Sequence, residues 1–171
     1  HSPAQRSTCE QAAILTVLGA SGYDALVPGA SELSLDPAWL AREAARAGVP
    51  LIAANVLDRT SGEPAFAPYR LVTRNGLAIS VIGLVELPYE REWYEGVERS
   101  ILDQYRIEDA LDAVERCLAR MPPVDVCLVA GTILPETASK LLAWSGRGPD
   151  IVLSSTYRFA RVARADERHV E

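Results

Sequence analysis

Three short stretches place oxygen- or nitrogen-bearing side chains directly after an apolar run. Ser31-Glu32 follow Tyr23–Pro28, Thr132 follows Val124–Val129, and Ser155-Thr156 with Arg158 follow Asp150–Ser154. A row of hydroxyls and backbone N–H groups at a strand end can receive an anion, and the Arg158 guanidinium adds a fork suited to it. The same residues also make an ordinary turn. Glu32 reads as a solvated residue or a local backbone acceptor. Thr132, three residues before Pro135, reads equally as a helix cap, and Asn55 as a structural hydrogen-bonder. The chain has two histidines, His1 and His169, at opposite ends. No Ser-His-Asp or Cys-His arrangement and no Gly-rich phosphate loop can be assembled from the residues present. Cys9, Cys117 and Cys127 lack metal-ligand spacing. Cys117 and Cys127 read as small buried residues, and Cys9 as an exposed thiol without an obvious activator.

Composition narrows the partners. The 171 residues make one ordinary domain, 49% apolar and 23% charged, with a net charge of −6. That balance argues against nucleic acid, which demands clustered Lys and Arg. No apolar run is long enough to span a bilayer, and the opening residues carry no signal-peptide pattern.

The elements that must position these residues follow from periodicity. Residues 10–21 predict a helix with Ala13, Ile14, Val17 and Leu18 on one face. Tyr23–Pro28 and Pro50–Val56 predict buried strands. Asp36-Pro37 opens a second helix that stops at Gly48. Residues 58–68 read as a loop. Tyr69–Thr73 and Ala78–Glu86 form a hairpin around Asn75-Gly76, a pair that tolerates positive φ at both positions. Residues 88–105 read as an irregular excursion or lid. There Trp93, Tyr94 and Tyr105 either present a base-stacking or partner surface or pack the segment onto the body. A helix over 107–121 with Ile107, Leu111, Val114 and Leu118 toward the core, a strand over 124–129, a helix over 135–145 and a strand over 150–154 complete the order. Residues 159–171 are expected to be a charged tail. Strands alternating with helices imply a mostly parallel sheet, with ligands outside the carboxyl ends of its strands.

Those strand ends carry a family resemblance. GYDALVPGASEL (22–33), VPLIAANV (49–56), PYRLVTRNGLAISVIGLVE (68–86), VDVCLVAGT (124–132) and PDIVLSSTYR (149–158) resemble, in order, five motifs of the calcineurin-like metallophosphoesterases, specifically the 5′-nucleotidase/UDP-sugar hydrolase group. The resemblance implies an α/β fold: a layered sandwich with mostly parallel buried strands and flanking helices. It covers residues 10–160 of a single, partial domain. In the family two divalent metals activate a bridging water. Residue by residue, the motifs place the family's Asn on Ala30, its catalytic His on Ser31, a retained Glu on Glu32, another His on Thr132, and its last two His on Thr156 and Arg158. The family's first two motifs, Asp-x-His and Gly-Asp, have no counterpart here. Alanine has no donor atom, hydroxyls are poor ligands, and Arg⁺ repels a divalent ion.

The resulting expectation is a degenerate phosphoesterase-like domain with no catalytic residues and no metal of its own. It would serve as a binding or interaction domain, with an unknown protein partner or a further domain of a longer chain. The degenerate positions Ser31, Glu32, Thr132, Ser155, Thr156 and Arg158 offer a site for a small anionic ligand. Two alternatives stand beside it. One is a metal-dependent phosphoesterase completed by ligands from another segment or partner, the only reading that brings in a divalent metal pair. The other is a redox-linked module using Cys9. The resemblance implies a periplasmic or secreted location, and a cytoplasmic one remains open.

Overall fold

The computed structural model describes residues 3–87, 95–156 and 159–164. Its elements in chain order are α1 (Pro3–Ala20), α2 (Ala30–Leu33), α3 (Pro37–Ala47), β1 (Val56–Asp58), β2 (Tyr69–Arg74), β3 (Leu77–Val85), α4 (Glu95–Gln104), β4 (Tyr105–Ile107), α5 (Ala110–Arg120), β5 (Val126–Thr132), α6 (Pro135–Leu142), β6 (Ile151–Thr156) and β7 (Phe159–Arg164). The main sheet has the order β2-β3-β5-β6-β7. Its three central strands are parallel, and β2 and β7 close the edges antiparallel. The α/β class with a parallel centre expected from the alternation is the one observed. Among the described residues no helix is long and apolar enough to cross a membrane.

Local chemistry explains the elements that match expectation. The β2–β3 hairpin turns at Asn75 (φ 51°) and Gly76 (φ 82°), both in the left-handed region that Asn-Gly supplies. Asp36 caps α3 by accepting from Trp39 N at 2.7 Å, Pro37 occupies its first turn, and Gly48 ends it at φ 70°. Strand β3 is buried from Ile82 onward, where helices cover it. On one side Ala113, Val114 and Cys117 of α5 and Leu141 of α6 pack with Ile82, Leu84, Val129 and Val152. A second cluster joins Leu33, Val56, Val85, Ile101 and Tyr105.

Several segments depart from expectation, each for a local reason. Helix α1 docks through Leu15 and Gly19, not through the face that contains Ile14 and Val17, which are 49% and 63% exposed. A Cβ on Gly19 would lie 1.8 Å from the Ala47 carbonyl, so glycine is what lets α1 touch the end of α3. Of Tyr23–Pro28 only Leu26 pairs, in a parallel bridge to Leu51, because Pro28 has no N–H to donate and Gly29 already begins the next turn. The strand expected at 50–56 is reduced to isolated bridges at Leu51 and Ile52, and the chain turns through Ala54-Asn55, whose side chain bonds to the Val85 backbone. Pairing resumes at β1, which joins β4 antiparallel. The segment 88–105 is not irregular where it is described: Glu95–Gln104 is helical, anchored by the fully buried Ile101. Ile107 belongs to β4, and α5 begins after Asp109, which accepts from Leu111 N and Asp112 N at 2.8 and 3.1 Å. Its buried face is Ala110, Ala113, Val114 and Cys117, flanked by Leu111 and Leu118. The tail expected from 159 begins instead with β7, paired along β6.

Candidate functional site

The parallel register brings the carboxyl ends of β3, β5 and β6 side by side: Val85 opposite Thr132, and Gly131 opposite Ser154. The stretch after Leu26 lies alongside, since a Cβ on Gly131 would come 3.1 Å from Val27 Cγ1. Three of the expected stretches therefore converge on one end of the sheet. Arg158, Trp93 and Tyr94 lie outside the described residues.

Three side chains there, Glu32, Glu86 and Ser154, bond to the backbone. Glu32 Oε2 accepts from Gly29 N at 2.9 Å and closes a capping box around the single turn of α2, while the buried Leu33 pins that turn to the core. This is the local backbone acceptor anticipated for Glu32. Ser31 sits beside it, exposed, and its carbonyl accepts from the Ser34 hydroxyl. Thr132 does not cap α6. That helix opens at Leu134, which has no capping side chain. Glu86, from the end of β3, accepts from Leu134 N at 2.7 Å and from Thr137 Oγ1 at 2.8 Å, and its own N–H donates to the Thr132 carbonyl at 2.8 Å. A carboxylate at a helix N-terminus meets the free N–H groups and the positive end of the dipole. Ser154 is buried and donates to the Ile133 carbonyl at 2.6 Å. Ser155 is exposed at the strand end, and Thr156 closes β6 with its backbone paired to Phe159.

Asn55 is fully buried and clasps two further segments. Its Nδ2 donates to the carbonyls of Val85 (2.7 Å) and Glu108 (3.2 Å), and its Oδ1 accepts from Val85 N (3.0 Å). Structural hydrogen bonding is thus the role it plays.

Sequence reasoning missed a cleft of about 420 Å³ near the same end, lined in part by Glu86, Glu108, Asp109, Ala110 and Leu134. Three carboxylates in one cleft suggest a cation site until their partners are counted. Glu86 caps α6, Asp109 caps α5, and Glu108 holds Arg106 at 3.2 Å and Arg116 at 2.6 Å. The signal available in sequence was Asp109 ahead of a periodic helix. The partners of Glu86 lie 48 and 51 residues away, beyond the reach of local patterns.

The donor set does not fit a metal pair. Ala30 offers no atom, Glu32 is held by the Gly29 N–H, and Ser31 and Thr132 offer only hydroxyls. No group of three or more His, Cys, Asp or Glu able to hold a metal ion lies among the described residues. The thiols do not compensate. Cys117 and Cys127 are buried, and burial pushes the Cys117 thiol up to about 11 and the Cys127 thiol upward as well. Tyr105 packs inward, its ring 6.0 Å from that of Phe66, and burial raises its hydroxyl to about 12.

No family model matches the chain. The sequence is 35% identical over 63 residues to a 5′-nucleotidase of Vibrio cholerae, a stretch that is 37% of this chain and 11% of that protein. It is 38% identical over 63 residues to the protein UshA of Escherichia coli, covering 37% of this chain and 12% of that protein. Among solved structures, the calcineurin-like phosphoesterase YfkN of Bacillus subtilis superposes with a TM-score of 0.62 at 23% identity, over 82% of this chain and 47% of that one. The NAD nucleotidase of Haemophilus influenzae gives 0.62 at 14% identity, over 86% of this chain and 26% of that one. The chain thus spans less than half the length of the relatives it matches. Its fold is that of the calcineurin-like phosphoesterases, and its sequence similarity is to the 5′-nucleotidase/UshA group.

Proposed function

We propose that this chain is a degenerate phosphoesterase-like domain of the 5′-nucleotidase group that works as a binding or interaction domain rather than as a hydrolase. One observation carries the reading: Glu32, Glu86 and Asp109, the carboxylates that hold the helix ends near the strand ends, are bound to backbone N–H or hydroxyl groups that the fold needs. A metal would have to strip Glu86 from α6, Glu32 from α2 or Asp109 from α5, and each removal exposes helix-end N–H groups. The partner is another protein or a further domain of a longer chain. A periplasmic or secreted setting follows from the likeness to its relatives. The test is metal loading of the full chain with Mn²⁺ or Zn²⁺, followed by desalting and elemental analysis. Less than one retained ion per chain is expected. Two tightly held ions per chain, with metal-stimulated turnover of a nucleotide or phosphodiester, would overturn the reading.

A further inference from the structure

A concentration of positive charge lies where β4 meets α5, on the other side of Glu108 from the carboxylate-lined cleft. A cleft of about 370 Å³ between α5 and the 57–69 segment is lined by Arg106, Arg116, Arg120, Glu108 and Tyr69, among otherwise uncharged residues. Three guanidiniums against one carboxylate leave this cleft at +2 in a chain whose net charge is −6.

Its geometry already holds an oxyanion. Glu108 accepts from Arg106 through Oε1 and from Arg116 through Oε2, so two guanidiniums supplied by β4 and α5 meet at one carboxylate. Arg120 lies one helical turn beyond Arg116 on the same face of α5. Among the described residues it has no ion-pair partner. Arg106 and Arg116 are 60% and 44% exposed, so their hold on Glu108 is screened and readily exchanged. Tyr69 adds an aromatic surface, partly buried against the α5 core cluster.

We infer that this cleft is a binding site for a small organic dianion, one charged end exchanging with Glu108 between Arg106 and Arg116 and the other reaching Arg120. Planar guanidinium forks suit both carboxylate and phosphate oxygens. The ligand chemistry is therefore a dicarboxylate or a phosphate monoester with a small apolar body lying toward Tyr69. The site extends the binding-domain reading to a ligand class, but it stands on its own residues and does not require the metal centre to be lost.

The test is calorimetric titration of the full chain at low ionic strength with succinate and, separately, phenyl phosphate. Saturable binding of at least one is expected, and which one binds distinguishes the two sources of the dianion. Arg120→Ala removes an exposed side chain and is expected to weaken binding by about tenfold, while circular dichroism stays unchanged. Glu108→Gln removes the internal competitor and is expected to tighten binding several-fold. The inference is overturned if neither probe binds, or if Arg120→Ala binds as well as the parent. Either result leaves the metal-loading outcome untouched, so failure here and failure of the functional reading can be told apart.

Discussion

The Asn55 clasp and the Ala30–Glu32 turn both follow short extended segments joined by the Leu26–Leu51 bridge, and they relate to the fold in opposite ways. Asn55 is fully buried and satisfies backbone groups of two other segments. Ser31 is exposed and serves the fold through its carbonyl alone. Glu32 stands between the two cases: it occupies a position that resembles a metal-site motif, and it is held by a bond internal to its own turn. Asn55 completes the backbone of distant segments, and Ser31 leaves its hydroxyl to solvent. The shape of this end of the sheet therefore rests on the clasp and the caps, and the exposed Ser31 hydroxyl adds nothing to it.

The largest test of that contrast is Gly131→Ala at the end of β5. The backbone there has φ 141°, and a Cβ would lie 1.9 Å from the Leu84 carbonyl, which is backbone and cannot swing aside. A loss of ~4 kcal/mol is expected, enough to abolish soluble folded protein in many domains. Recovery of a variant with near-parent thermal unfolding would show that this end of the sheet is looser than described. Asn55→Ala comes next. It leaves the Val85 N–H and two carbonyls without partners in a closed interior, for ~3 kcal/mol in urea denaturation. A cost below ~1 kcal/mol would remove the distinction between the clasp and the turn. Glu86→Ala takes the carboxylate from the first turn of α6 and is expected to cost ~1–2 kcal/mol, within the range of a lost cap. If Thr132→Val costs as much, the capping role assigned to Glu86 is misplaced. Ser31→Ala is the smallest: a change within ~0.5 kcal/mol is expected for an exposed side chain. A larger loss would mean that the substituted position has acquired a structural duty of its own.

Much of the architecture could be read from local pattern. The Asn75-Gly76 turn, the Asp36 cap, the Gly48 stop and the apolar runs of β3, β5 and β6 each follow from residues within a few positions of one another. What could not be read depends on distant partners. The turn at Ala54-Asn55 is held by bonds from Asn55 to Val85, and α6 starts with a cap supplied by Glu86 just after β3. Helix α4 was hidden because Ile101 is the one fully buried anchor among its described side chains in a charged segment. The candidate site followed the same division. The strand ends and their order were legible, while the Arg106–Arg116–Arg120 cleft depends on β4 meeting α5, which no local pattern signals.

Asn55 also bears on how the chain reaches this structure. Its bonds join positions 30 and 53 residues apart, and two chain loops must close before one side chain can hold both carbonyls. Contacts of that separation are expected to form after the β2–β3 hairpin and the α5 helix, which close shorter loops. Interactions absent from the folding transition state act on the rate of leaving the native state. The clasp is therefore expected to act as a kinetic latch: in stopped-flow unfolding and refolding, Asn55→Ala should speed unfolding and leave the folding rate nearly as it was.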